Sequence, residues 1–459
     1  MKLSLARAAD FMQASGDYDP GAVAAGYSID SRTIRPRELF FAVRGDRLDG
    51  HDFVDAALAQ SAVAAVVARE SLPRFGSHEK LLVVNDPLTA LQKLALAVRL
   101  EWGKPVIGIT GSAGKTTTKE IIAHILATRH NVLKSHGNLN NHFGLPLQLL
   151  KLELEHDLAV IEMGMSHAGE IKALAALAKP NCGVVTLVAP VHLEFFDSIA
   201  GIARAKYELI DSLPADGIAI LNADDPYVSE FARGFRGTVV TFGLQKPAVV
   251  AASDITVLQP MGSAFQIKYR HETEAAALPL FGEHSIYNAL AGVAVGLQYG
   301  VSLHDAAISL AALSAGDKRG QMLDYEGATI INDCYNSNPK ALESMVRSLL
   351  QIPAKRRIVV AGEMLELGPE GEAMHRDCGH LTGNYGVDFV LGVRGLARHI
   401  VEGANAANVD GAFVETPEEA AEWLRANIRA GDLVLLKASR GVRLERALDA
   451  WMGKSIVAR

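Results

Sequence analysis

Residues 106–119, V-I-G-I-T-G-S-A-G-K-T-T-T-K, constrain this chain more than any other stretch. An apolar run enters a turn punctuated by Gly111 and Gly114. Lys115 and three threonines follow, and a helical pattern begins. That order reads as strand, anion-cradling loop, helix. Glycine lets the backbone bend so that successive N–H groups converge, and the new helix adds the positive end of its dipole. Thr110, Gly111, Ser112, Ala113 and Gly114 make the loop. Lys115 would reach the outer phosphates, and Thr116, with Thr117 beside it, would supply a hydroxyl to Mg²⁺. The expected ligand is a nucleoside triphosphate. The general G-x-x-x-x-G-K-[ST] pattern would put glycine at 109, where Ile109 stands, so the form here is T-G-x-x-G-K-T. A chance turn before a helix is the competing reading, and the flanking strand and helix weaken it.

With 459 residues, the chain calls for about two to four domains. Apolar residues make up 49% and charged residues 21%, a globular balance. A net charge of −7 argues against a nucleic-acid surface. Cys182, Cys334 and Cys378 lie far apart in no metal spacing and read as reduced thiols of a cytoplasmic protein. The first residues lack the apolar core of a signal peptide, and no apolar run approaches ~18 residues, so membrane insertion is not expected.

The expected fold class is α/β in three units. Residues 1–85 read as a small α/β domain, with strands at 38–43, 62–68 and 81–84. Residues 86–315 open with a helix starting at Pro87 and then alternate strand and helix. Strands fall at 158–161, 183–188 and 218–221, and helices at 169–179, 199–213 and 285–299. Such alternation predicts a parallel sheet covered by helices. Residues 245–280 alternate in polarity more and suggest an antiparallel extension. Residues 316–459 read as a second doubly wound, Rossmann-like unit with no G-x-G-x-x-G to open it. Its strands are expected at 328–331, 357–361, 389–391 and 433–437, its helices near 339–350, 375–381 and 417–429.

Several residues could carry chemistry. Glu162 ends an apolar strand, at the edge where parallel sheets bind ligands. It reads as a Mg²⁺ ligand or a solvated loop glutamate. His192 follows the next strand and would lie beside the same edge, though a lone histidine is often structural. Lys206 and Glu208 share a helix, where Lys206 alone reads as a surface lysine. Arg319 follows the second boundary and could close over a γ-phosphate or be an exposed hinge residue. The segment D-C-Y-N-S-N-P, 333–339, is more polar than the capping of a helix needs.

Together these motifs resemble the Mur ligase family, the ATP-dependent amide-forming enzymes of bacterial peptidoglycan synthesis. The likeness runs along the whole chain. It rests on S-R-T-I-R-P-R-E-L-F-F-A-V-R-G-D-R-L-D-G-H-D-F (31–53), I-T-G-S-A-G-K-T-T-T-K-E (109–120) and G-N-L-N-N-H-F-G-L-P (137–146). It also rests on N-D-C-Y-N-S-N-P (332–339), G-E-M-L-E-L-G (362–368) and L-K-A-S-R-G (436–441). The strongest likeness is to the branch whose substrates are UDP-N-acetylmuramoyl-tripeptide and D-alanyl-D-alanine. The resemblance implies that Thr116 and Glu162 hold one Mg²⁺. It implies that His192 and Lys206 serve a second, with Lys206 carbamylated by CO₂ into an anionic oxygen ligand. It places Asn288 at the adenine of ATP, with Arg319 and Asp333 reaching ATP from the third domain. Ser31, Arg32, Thr33, Gly45, Arg47, Asp49, Gly50 and His51 would lie at the uridine nucleotide. Asn138, Asn140, Asn141, Asn336, Asn338 and Ser439 would contact substrates. A monomer is implied.

This chain departs from the family's usual residues at His142, Met165, Ser166, Asp197 and Ser285. None of these is the proposed lysine, histidine or glutamate. Two rival readings remain. One is a sister ligase, adding diaminopimelate or lysine, or a folylpolyglutamate synthetase. The diaminopimelate enzyme's D-N-P-R is absent here, and G-E-M-L-E-L-G favours the dipeptide. The other is a P-loop switch or transport ATPase, which would hydrolyse nucleotide with no amine acceptor.

Overall fold

The computed structural model describes residues 1–76, 79–191, 193–259 and 261–453. The apolar runs become strands because both their faces are covered. Ala64–Ala68, Leu81–Val84, Val106–Thr110, Leu158–Glu162 and Asp432–Lys437 are buried at every residue. A strand covered on both faces needs no polar alternation, which is the signature of parallel sheets under helices.

Three main sheets result. The first runs Gly26–Ser28, Glu38–Phe41, Ala64–Ala68, Leu81–Val84, all parallel. The third has Gln321–Tyr325 as an antiparallel edge. Ala328–Asp333, Asp432–Lys437, Arg356–Gly362, Phe389–Val393 and Gly411–Val414 follow in parallel.

The second sheet has nine strands. Its parallel part runs Val132–Lys134, Leu158–Glu162, Val106–Thr110, Cys182–Val185, Ile218–Asn222, Thr238–Gly243, Val250–Val257. Ser263–Tyr269 and Glu272–Leu278 continue it antiparallel, as the polarity of 245–280 suggested.

Strand order positions the site. Val106–Thr110 lies between Leu158–Glu162 and Cys182–Val185, so the chain leaves it to one side and later returns on the other. A parallel sheet opens a crevice at such a reversal, beyond the carboxyl ends of its strands. The same happens in the third sheet, where Asp432–Lys437 inserts between Ala328–Asp333 and Arg356–Gly362.

The helix Pro87–Trp102 joins the first two sheets. Proline fits its first turn, the Asp86 side chain accepts from the Leu88 and Thr89 N–H groups, and Gly103 ends it at φ 69°. It packs against Leu5–Met12 on one side and Glu170–Ala178 on the other. The strand expected over 183–188 stops at Val185; the Thr186 N–H still donates to the Thr110 carbonyl at 3.1 Å, while its hydroxyl turns to the Ala113 carbonyl. Short elements without a sequence signal also appear, among them Val132–Lys134, Gly411–Val414 and the helix Ala397–Ala406.

Candidate active site

The loop after Val106–Thr110 depends on its two glycines. Gly111 sits at φ 151°, and a Cβ there would come within 1.8 Å of the Thr186 hydroxyl. Gly114 sits at φ 81° as the N-cap of the helix Lys115–Leu126, and a Cβ would meet Asn288 Oδ1 at 2.6 Å. No side chain fits either place, so the backbone and the first-turn N–H groups of the helix stay open to an anion. Ser112 braces the loop, donating to the Ala189 carbonyl at 3.0 Å. Thr110 and Gly111 lie beneath it, and the Thr110 hydroxyl has no hydrogen-bond partner.

Side chains converge on this loop from separate elements. Lys115 Nζ donates to the Gly111 carbonyl at 2.7 Å. Burial lowers its pKa; Glu162 opposes that shift and the Arg319 charge adds to it. Thr116 donates to Glu162 Oε2 at 2.7 Å, and Asn140 Nδ2 donates to Oε1 at 2.8 Å. Glu162 is 2% exposed, at the end of a buried strand. Its geometry is that of a held carboxylate with neutral donors, not a solvated loop glutamate. Arg319, from the linker to the third sheet, donates from Nη2 to Thr116 Oγ1 at 3.1 Å. Lys206 is 1% exposed on the helix Ile199–Asp211, and burial together with the Lys115 charge holds it well below the ordinary ammonium range. His192 lies outside the described residues.

The third sheet supplies the opposite wall. Lys437 pairs with Asp333 and donates to the Asn336 carbonyl at 3.0 Å. The Arg319 guanidinium lies 3.6 Å from the Tyr335 ring centre. Asn338 caps the helix Pro339–Leu349 through the Ala341 N–H. Asn336 accepts from the Ser337 N–H at 2.9 Å. The Ser439 hydroxyl accepts from the Leu365 N–H at 3.0 Å and donates to the Ser337 carbonyl at 3.3 Å. One hydroxyl therefore ties together three of the loops at the carboxyl ends of this sheet.

A cleft of about 1720 Å³ opens between the two walls. Ser112 through Thr117, Asn138, Asn140, Asn141, Glu162 and Asn288 line its central side, and Arg319, Asp333, Asn336, Asn338 and Ser439 the other. Asn141 also caps a helix, accepting from the Gly144 N–H at 2.9 Å. Asn288 accepts from the Thr118 hydroxyl at 3.1 Å. His142, Met165, Ser166 and Ser285 line the cleft as well, with the Ser285 hydroxyl donating to the Phe281 carbonyl.

Ser31, Arg32, Thr33, Gly45, Arg47, Asp49, Gly50 and His51 are not in this cleft; they belong to the first sheet's loops. Arg32 is paired with Asp30 at 2.7 Å. Both ring nitrogens of His51 are engaged: Nε2 accepts from the Ala68 N–H at 2.9 Å, and Nδ1 faces Asp49 at 2.6 Å. Glu208 has a framework job, accepting from the Gly169 and Lys172 N–H groups at the start of Glu170–Ala178. The three cysteines are free and buried.

Sequence reasoning missed Thr186, Lys437 and the Tyr335–Arg319 stack. Lys437 carried a findable signal, a charge ending an apolar strand like that of Glu162. Thr186 and the stack did not, since both depend on distant segments meeting.

Among the described residues no three His, Cys, Asp or Glu side chains cluster as a metal cage. Glu162 and Thr116 nevertheless suit Mg²⁺. Both offer hard oxygen, the carboxylate's charge is not spent on a hydrogen-bonded cation, and Mg²⁺ takes much of its shell from water and phosphate. Among the described residues no helix is long and apolar enough to cross a membrane.

Three family models match in chain order. They are described as Mur ligase family, catalytic domain over residues 24–99; Mur ligase middle domain over 109–296; and Mur ligase, glutamate ligase domain over 318–440. UDP-N-acetylmuramoyl-tripeptide–D-alanyl-D-alanine ligase of Bacillus subtilis is 36% identical over 425 residues, covering 92% of this chain and 91% of that one. The crystal structure of MurF from Acinetobacter baumannii superposes with a TM-score of 0.89 at 29% identity, covering 99% of both chains. MurF ligase from Thermotoga maritima in complex with ADP gives 0.83 at 28% identity, covering 94% of this chain and 98% of that one. The likeness spans all three sheets, and the chain belongs to the Mur ligase family.

Proposed function

We propose that this chain joins D-alanyl-D-alanine to the terminal carboxylate of UDP-N-acetylmuramoyl-tripeptide at the expense of ATP, as a cytoplasmic monomer. One observation carries the reading. The Thr116 hydroxyl of the phosphate loop meets Glu162 of its own sheet and Arg319 of the next unit, so the nucleotide site and the third unit's loops share one cleft. The relatives' names supply the substrates.

The chemistry is two displacements. The tripeptide carboxylate attacks the γ-phosphorus of ATP, the bond to the bridging oxygen breaks, and ADP leaves with the electron pair. The dipeptide's neutral amine then attacks the acyl phosphate carbon. The C–N bond forms, the C–O bond to phosphate breaks, and the amine proton is lost to the leaving phosphate or water.

The first step brings two anions together. At 4 Å and an effective dielectric of about 20, each unit-charge pair costs about 4 kcal/mol. Lys115 and Arg319 offset that repulsion, from the loop and from the opposite wall. Mg²⁺ held by Thr116 and Glu162 would neutralise phosphate charge further. Closing the cleft excludes the water that would hydrolyse the acyl phosphate.

Lys206 fits the carbamate role. Carbon dioxide reacts with a neutral amine, and burial together with the Lys115 charge shifts this one toward its neutral form. The nitrogen adds to CO₂ and releases a proton, leaving an anionic oxygen pair that, with His192, would suit a second Mg²⁺. Lys206→Ala is expected to lower turnover by a factor on the order of 10³ or more, with partial rescue by a short added carboxylate. Full activity without rescue would remove Lys206 from the mechanism.

The acceptor assignment is tested by phosphate release with ATP, the UDP-linked tripeptide and each candidate in turn. D-Alanyl-D-alanine should be required. Release driven instead by diaminopimelate, lysine or glutamate would reassign the chain to a sister ligase. Release with no acceptor at all would point to an ATPase.

A further inference from the structure

A guanidinium on a linker has no fixed direction of its own. Arg319 lies between Gly316 and Gly320, and its N–H donates to the Gly316 carbonyl at 3.1 Å. The left-handed backbone of Lys318 and Gly320, φ 57° and 68°, sets the turn around it. That fixes the Cα but leaves a long side chain with several free torsions.

Two contacts aim that side chain. One is the hydrogen bond from Nη2 to Thr116 Oγ1. The other is the Tyr335 ring, whose centre lies 3.6 Å from the guanidinium carbon, well inside the ~6 Å reach of a cation–π contact. Tyr335 is itself fixed to the third unit, two residues past Asp333 and its partner Lys437. Its N–H donates to the Lys318 carbonyl at 3.1 Å, and Lys318 pairs with Glu445 at 3.2 Å. The aromatic ring has a chemical advantage here. A carboxylate would hold the arginine equally well but would neutralise the charge that a phosphate needs. A ring face holds the cation while leaving its charge and its in-plane N–H donors available.

We propose that Tyr335 is the positioning residue for Arg319, its ring pointing the guanidinium at the phosphate loop so that the arginine travels with the third unit. This rests on Arg319 acting at the γ-phosphate, as read above.

The test uses the full chain carrying Tyr335→Phe, Tyr335→Leu, Arg319→Ala, or Arg319→Ala with Tyr335→Leu. It measures kcat, the KM of each substrate and thermal unfolding, with rates taken per folded enzyme. Tyr335→Phe keeps the ring and should stay within about twofold of the parent, whereas Tyr335→Leu should lower kcat/KM for ATP roughly 3- to 30-fold. The KM of the dipeptide should stay unchanged in both. In the Arg319→Ala background, Tyr335→Leu should cost nothing more. An equal cost in both backgrounds, or a Phe variant as slow as the Leu variant, overturns the proposal. A slow Arg319→Ala beside a fast Tyr335→Leu sinks this inference alone. An unimpaired Arg319→Ala sinks the arginine's role and this inference with it.

Discussion

The first and third units are attached to the central sheet in opposite ways. One apolar cluster runs unbroken from Leu3 through Leu94 to Phe231, spanning the first and second sheets. Arg99, 5% exposed, strengthens that junction by donating to the Ala178 and Lys179 carbonyls, which end the helix Glu170–Ala178. The third unit instead has its own clusters on the two faces of its sheet. Phe281 and the partly buried Met261 are central residues that join one of these two clusters. Its other links to the centre include polar ones, such as Arg319 to Thr116 and Ser344 to His284. Separating apolar surface costs about 25 cal/mol per Å², whereas each of these part-buried hydrogen bonds exchanges with water at a net cost of only about 1–2 kcal/mol. The first unit therefore moves with the centre, and the third can part from it. A ligase that admits nucleotide, then acceptor, and then excludes water needs one such movable wall.

The largest expected effect lies on the movable side. Arg319→Ala should lower kcat by a factor on the order of 10³, the lower end for an arginine that offsets phosphoryl-transfer charge, with the melting temperature unchanged. A loss of stability in step with activity would make Arg319 part of the framework and blur the contrast. Next comes the fixed side. Leu94, 0% exposed, lies in the shared cluster, and Leu94→Ala should destabilise by about 3 kcal/mol. Calorimetry should show the first and central units melting together at a lower temperature, with turnover per folded enzyme retained. A first unit that melts alone would break the idea of a shared core.

The smallest effect concerns Asp49. Burial raises its carboxyl pKa, but hydrogen bonds from the His51 N–H and ring, with the Arg44 charge, outweigh that and hold it at about 2. A carboxylate with a depressed folded pKa stabilises above its unfolded value and loses that contribution as pH falls through the folded one. Asp49→Asn should therefore cost about 1–2 kcal/mol at neutral pH after allowance for partial exposure. In urea titrations the gap from the parent should close between pH 4 and about 2. A gap independent of pH would mean that the hydrogen bonds, not the charge, stabilise this loop.

Much of this contrast was legible in sequence. Leu81–Val84 reads as a strand because four consecutive apolar residues sit between polar breaks, and burial on both faces permits no other pattern. Pro87 and Gly103 mark the joining helix at its two ends through backbone geometry alone. Val132–Lys134 and Gly411–Val414 are too short to show a period. Ala397–Ala406 begins without a capping side chain and carries Gly403 and Asn405, which weaken its helix signal. At the site, Lys115 and Thr116 announce themselves because the phosphate loop is local. Asn140 on Glu162, Thr186 under Gly111 and Tyr335 on Arg319 join segments that only the fold brings together.

This cleft should transfer the γ-phosphoryl group to a carboxylate before the amide forms. The direct measurement starts from UDP-N-acetylmuramoyl-tripeptide carrying ¹⁸O in its terminal carboxylate, with ATP and D-alanyl-D-alanine. If an acyl phosphate forms, one labelled oxygen leaves with each phosphate released, and mass spectrometry finds it there. Unlabelled phosphate beside full amide product would contradict the route.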